Sequence, residues 1–120
     1  MSLPDLISRL SAQGLPVVDR EGARAFAQSH EYTLLCLFND PKAFPENFDV
    51  AVVAPELLKS FPALRAAVAE PQAVAALALI YGIDTFPALI LLRNGEVQQR
   101  WSRIQPWVVY QQHLHALLNC

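Results

Sequence analysis

"YGIDTFPALILLRNGEV", residues 81–97, packs a helix end, a sharp turn, a strand and the start of a hairpin into one short stretch. Gly82 after Tyr81 stops a helix, because glycine enters left-handed backbone geometry without a Cβ clash. The run that opens at Pro87 is apolar at every position through Leu92. That is the pattern of a strand covered on both faces rather than of one half-exposed to water. Asn94-Gly95 tolerates positive φ at both central positions of a tight turn, so 87–93 and 97–103 form a hairpin.

Upstream, helical and extended patterns alternate. Leu3, Leu6, Ile7 and Leu10 share one helical stripe, with Ser2 as N-cap and Gly14 as the stop. "LPVVD" (15–19) reads as a short strand and "REGARAFAQSH" (20–30) as a helix with Ala23, Phe26 and Ala27 inward. "YTLLCLFN" (32–39) is apolar on both faces, as a central strand is. "DPKAFPENFD" (40–49) carries two prolines and five polar or charged residues and is expected to form a loop. "APELLKSF" (54–61) predicts a helix with Pro55 near its first turn, "ALRAAVAE" (63–70) a strand, and "PQAVAALALIYG" (71–82) a helix opened by Pro71. "PWVVYQQHLHALL" (106–118) closes as an amphipathic helix with Pro106 at its first position and Trp107 packed on the sheet. The order α-β-α-β-α-β-α-β-β-α demands crossover connections and a mainly parallel sheet, with the last hairpin as an antiparallel edge. One domain spanning 1–120 is expected.

Composition narrows the functions. Hydrophobic residues make up 53% of the 120 residues and charged ones 17%, which argues for a folded core. A formal net charge of −2 without a basic block argues against nucleic acid. The N-terminal segment has neither a basic leader nor a continuous apolar run, so no signal peptide is expected. Residues 73–92 are long and apolar, but Asp84 near their centre would cost roughly 2.5–3.5 kcal/mol in a bilayer. Gly82 and Pro87 break the run further, so it reads as a helix followed by a strand and no membrane insertion is expected. Cys36 and Cys120 are too far apart in sequence for a disulfide framework, and a reducing cytoplasm is the expected compartment. His113 and His115 point in different directions on one helix and His30 has no neighbouring ligand, so no metal or other cofactor is expected.

The element order and residues 81–97 resemble the thioredoxin family, with its central mixed sheet, helices on both faces, C-terminal antiparallel hairpin and final helix. The resemblance implies a cis Phe86–Pro87 bond that leaves the Phe86 backbone open to an extended peptide. It also implies a Cys-x-x-Cys after the central strand, where a helix N-terminus would lower a thiol pKa. Here that place reads "FNDPKAFPENF" (38–48), with no cysteine, and the family's buried carboxylate would fall near Leu37. The dithiol reaction cannot run.

A narrower resemblance rests on "NDPKAFPE", "APELLKSFPALRAAVAE", "YGIDTFPALILLRNGE" and "RIQPWVVYQQHLHALL". These are similar to the HyaE/HupG type of hydrogenase expression/formation protein. The resemblance implies a cytoplasmic, non-catalytic chaperone for the small-subunit precursor of an uptake [NiFe] hydrogenase, holding its twin-arginine signal peptide. Between Glu31 and Glu56 five acids (Glu31, Asp40, Glu46, Asp49 and Glu56) face one base, Lys42. A basic peptide would be steered toward such a surface. The expected peptide-binding residues are Asp40, Lys42, Glu46, Asp49, Asp84, Phe86 and Pro87.

Other readings compete with this one. Cys36 would be the nucleophile of a single-cysteine thiol oxidoreductase, although its place between Leu34 and Phe38 suits an inert core thiol. A purely structural, oligomer-forming subunit is a third reading, and the sequence leaves the oligomeric state open. Trp101 is expected at the exposed hairpin edge, and Arg93, Arg100 and Arg103 are expected to shield that edge from pairing. Cys120 is expected to be a frayed terminus.

Overall fold

The computed structural model describes residues 2–118. Its elements are α1 (Leu3–Ala12), β1 (Val17–Val18), α2 (Arg20–Ser29), β2 (Tyr32–Leu37), α3 (Asn47–Ser60), β3 (Leu64–Ala69), α4 (Val74–Tyr81, entered through a 3-10 turn at Pro71–Ala73), β4 (Ala88–Arg93), β5 (Glu96–Ser102) and α5 (Trp107–Leu118). Cys120 lies outside the described residues.

The strands form one sheet in the order β1-β3-β2-β4-β5. β3 runs parallel to both β1 and β2, whereas β4 is antiparallel to β2 and β5 to β4. β2 therefore sits in the middle, and all six of its residues are buried. The sheet is more evenly mixed than the expected parallel one, because the hairpin docks its first strand directly on β2. Asn94 and Gly95 have φ values of 50° and 85°, the doubly positive geometry of this tight turn.

Two layers of helices cover the sheet. On one face, Leu6 and Leu10 of α1, Val50 and Leu57 of α3 and Tyr110 and Leu114 of α5 pack on Leu34, Cys36, Leu89 and Leu91. On the other, Ala23 and Ala27 of α2 and Val74, Leu77 and Ala78 of α4 pack on Leu35, Leu37, Ile90 and Leu92. The strict alternation of β2 and β4 side chains between the two clusters follows from the two-residue pleat.

Several local expectations are corrected. The helix expected from residue 54 begins at Asn47, so Pro55 lies inside it and is buried. A mid-helix proline removes one i→i−4 bond. Here packing of Val50, Ala51 and Ala54 against the core carries the helix through it. Trp101, expected at an exposed edge, is only 3% exposed, while Trp107, expected in the core, is 38% exposed. Trp101 lies edge-on to Tyr110 and its Nε1 donates to His113 Nδ1 at 3.0 Å, which brings the indole of the hairpin under α5.

Candidate functional site

The surface at the C-terminal end of β2 is built from residues 38–47, 84–87 and 103–105. Asn47 shapes the first of these. Its side chain is fully buried, accepts the Asn39 N–H at 3.1 Å and donates to the Phe44 carbonyl. Both ends of the loop are thus tied to one amide. Within it, the Asp40 carboxylate accepts the Lys42 N–H at 3.1 Å, and the Asp40 carbonyl accepts from Ala43 and Phe44. This is the local turn chemistry that aspartate favours.

Phe44 reaches across the surface and meets Phe86 edge-on, with ring centroids 5.7 Å apart. The Phe86–Pro87 bond is cis. Pro87 is buried and Phe86 half-buried. Among the described residues no hydrogen bond is made by the Phe86 N–H or carbonyl. The Pro87 carbonyl, by contrast, accepts the Arg103 N–H at 2.6 Å.

Arg103 joins the remaining pieces. It adopts a left-handed φ of 64°, and its Nε donates to Glu46 at 2.7 Å, while the Ile104 N–H donates to the other Glu46 oxygen at 3.1 Å. These bonds favour the ionised carboxylate, and the Arg103 contact above all holds the Glu46 pKa below its ordinary value. The Gln105 N–H donates to the Tyr110 hydroxyl at 3.0 Å and anchors the same segment to α5.

The structure revises the acidic surface read from residues 31–56. Glu46 is committed to Arg103, Glu31 lies 3.4 Å from Arg93, and Glu56 lies 3.1 Å from Lys59. The arginines expected to guard the sheet edge instead act as ties: Arg93 and Arg103 form two of those pairs, and the Arg100 Nε donates to the Tyr81 carbonyl at 2.5 Å. Asp40, Asp49 and Asp84 are exposed and, among the described residues, form no ion pair. Asp49 lies in the first turn of α3, where the helix dipole favours a negative charge.

The expected site residues thus divide. Phe86, Pro87 and Glu46 converge with Phe44 and Arg103. Asp84 flanks Phe86 in the chain. Asp40 and Lys42 border a hollow of about 400 Å³ facing Ser2–Pro4, on the other flank of the loop. Asn47, Phe44 and Arg103 were not anticipated. The apolar spacing of Val50, Ala54 and Leu57 is the signal that would have placed Asn47 at a helix start, whereas the Arg103–Glu46 pair spans 57 residues and leaves no local pattern.

Cys36 lies inside the sheet with no exposed surface, and burial pushes its thiol up to about 12. A nucleophile must be a thiolate within reach of its substrate, and Cys36 is neither. Among the described residues no cluster of three His, Cys, Asp or Glu side chains is placed to hold a metal ion. No helix among them is long and apolar enough to cross a membrane.

Residues 6–110 match the family model described as hydrogenase-1 expression protein HyaE. The hydrogenase expression/formation protein HoxO of Azotobacter vinelandii is 34% identical over 114 residues, covering 94% of this chain and 77% of that protein. The crystal structure of a hydrogenase expression/formation protein HupG from Rhodopseudomonas palustris is 31% identical, with a TM-score of 0.61 over 87% of this chain and 95% of that one. A thioredoxin from Halobacterium salinarum superposes with a TM-score of 0.72 over 84% of this chain and 88% of its own at 17% identity, a likeness of fold alone. The chain therefore belongs to the HyaE and HupG kind of hydrogenase expression/formation proteins, accessory to hydrogenase maturation, on a thioredoxin-like fold with no cysteine at the dithiol position.

Proposed function

We propose that the chain is a non-catalytic assembly chaperone that binds the precursor of a hydrogenase small subunit in the cytoplasm, through the basic, twin-arginine signal peptide. The observation that carries this reading is the Phe86 backbone beside the cis Pro87, which makes no hydrogen bond among the described residues. The exposed Asp84 lies two residues before it, and exposed Asp40 and Asp49, elsewhere on the chain, form no ion pair among the described residues. An extended peptide can add to a free backbone edge through its own N–H and C=O groups, with side-chain contacts supplying selectivity. Exposed carboxylates attract guanidinium groups during encounter and fix the peptide's direction. Membership of a hydrogenase expression/formation family supports the choice of client.

Surface charge chiefly raises association rates, and the effect falls with ionic strength. Binding of purified precursor, with and without its signal peptide, is measured by stopped-flow fluorescence at several salt concentrations. The intact precursor binds and the truncated one binds far more weakly. Asp40→Asn, Asp49→Asn and Asp84→Asn together slow association about tenfold at low salt, within the range of electrostatic steering. Equal binding of both precursors would remove the signal peptide from the proposal. An unchanged on-rate in the triple variant would remove the acids.

A further inference from the structure

A second surface lies where α2 and α4 cover the sheet. From Pro71 through Tyr81 the chain has no charged residue. A surface helix ordinarily turns its apolar stripe inward and a polar one outward. α4 instead exposes Leu79 by 85% and Ile80 by 59%. Ile80, with Leu77 and Tyr81, lines the α4 side of a groove of about 730 Å³ whose α2 side carries Arg20 and Arg24, while Leu79 lies outside that lining. The two arginines stand one helical turn apart, are exposed, and form no ion pair among the described residues. Arg100, bonded to the Tyr81 carbonyl, adds a third guanidinium at the end of α4. Glu21 is the groove's lone carboxylate.

We propose that this groove docks an acidic amphipathic helix of a partner protein, with apolar side chains on Ile80 and Tyr81 and carboxylates on Arg20 and Arg24. Carboxylates one turn apart on the incoming helix match the spacing of the two arginines. Apolar contact supplies most of the stabilisation, and the charge pairs select partner and orientation. A two-fold contact with a second copy would set the arginine-rich faces against each other, which like charges oppose. The concavity of the groove suits a helix better than a flat lipid surface. The residues that line it are distinct from Phe44, Glu46, Phe86, Pro87 and Arg103.

The test uses the full chain and two labelled synthetic helical peptides with the same leucine stripe, one flanked by Glu and one by Lys. Fluorescence anisotropy should give saturable binding of the Glu peptide, at least tenfold tighter than that of the Lys peptide and weakened by salt. Amide NMR shifts should gather on residues 77–81 and 20–28. Ile80→Ser and Arg24→Glu, both at exposed positions of the groove, should each weaken binding about tenfold with circular dichroism unchanged. Equal binding of the two peptides, or none of the Glu peptide, overturns the proposal. So does binding to phosphatidylglycerol vesicles in place of the peptide, or a dimer that Ile80→Ser dissolves.

Discussion

The two faces of the sheet are packed by different means. The face under α1, α3 and α5 buries Tyr32, Phe38, Phe61, Trp101 and Tyr110 with many leucines, and alanine is a minor component there. The face under α2 and α4 buries no aromatic residue, and seven of its fourteen buried members are alanine. Large side chains fill a thick layer and lose most when truncated. Alanines let helices approach the sheet closely and lose most when enlarged. The thick face carries Phe38 at the start of the loop of residues 38–47, whereas α4 on the thin face is apolar on its outward side as well and leaves Leu79 and Ile80 exposed.

The comparison can be broken at its strongest point with Cys36, which points into the thick face. A rise from 9.0 to about 12 lowers the thiolate fraction at neutral pH about a thousandfold. Iodoacetamide, followed by mass spectrometry of the Cys36 peptide, should therefore label the native protein at least that much more slowly than the unfolded one. Rapid native labelling would show that this layer admits solvent and would return the single-cysteine reading to contention.

Truncation comes next. Leu57→Ala, on a side chain with no exposure, should cost about 2–5 kcal/mol in urea unfolding. Leu79→Ser, on the outside of α4, should stay within about 0.5 kcal/mol. Asn47→Ala removes the amide that serves Asn39 and Phe44 and should cost about 1–3 kcal/mol. Faster hydrogen exchange at 39–47 than elsewhere would localise that loss to the loop. On the thin face, Ala67→Leu at a fully buried strand position should cost about 1–3 kcal/mol by overpacking. A neutral or stabilising result would mean that this layer has slack.

The smallest effect is electrostatic. The folded pKa of Glu46 is depressed below its ordinary 4.5, chiefly by Arg103. The ionised form is therefore favoured in the folded state, and the stability it contributes is fully present above pH 4.5. That contribution disappears as the pH falls through the lower folded value. Melting temperatures should thus separate wild type from Glu46→Gln at pH 6 and converge toward pH 3. A constant difference across that range would assign the effect to packing instead of charge.

Much of this was legible in the chain. The continuous apolar runs of β2 and β4, the Asn94-Gly95 turn and the Gly82 stop specify their elements because each depends on backbone preferences of adjacent residues. The missing dithiol was equally plain, since no cysteine stands between 38 and 48. Local reasoning failed where tertiary contacts outweighed it. Pro55 looked like a helix opening, yet burial of Val50, Ala51 and Ala54 extends α3 upstream through it. The tryptophans were exchanged between core and surface, because residue type says how much area can be buried and not which indole finds a partner such as His113.

The sequence by itself determined the order of elements, the turn before β4 and the lack of a cysteine pair at residues 38–48, all of which follow from short-range sterics and residue identity. Tertiary structure alone decided which charges remain available. Glu31 and Glu46 are claimed by Arg93 and Arg103, which lie 62 and 57 residues away in the chain, leaving Asp40, Asp49 and Asp84 without a paired cation among the described residues. The physical reason is that pairing between charges depends on distance in space, and only the folded chain brings such remote residues together.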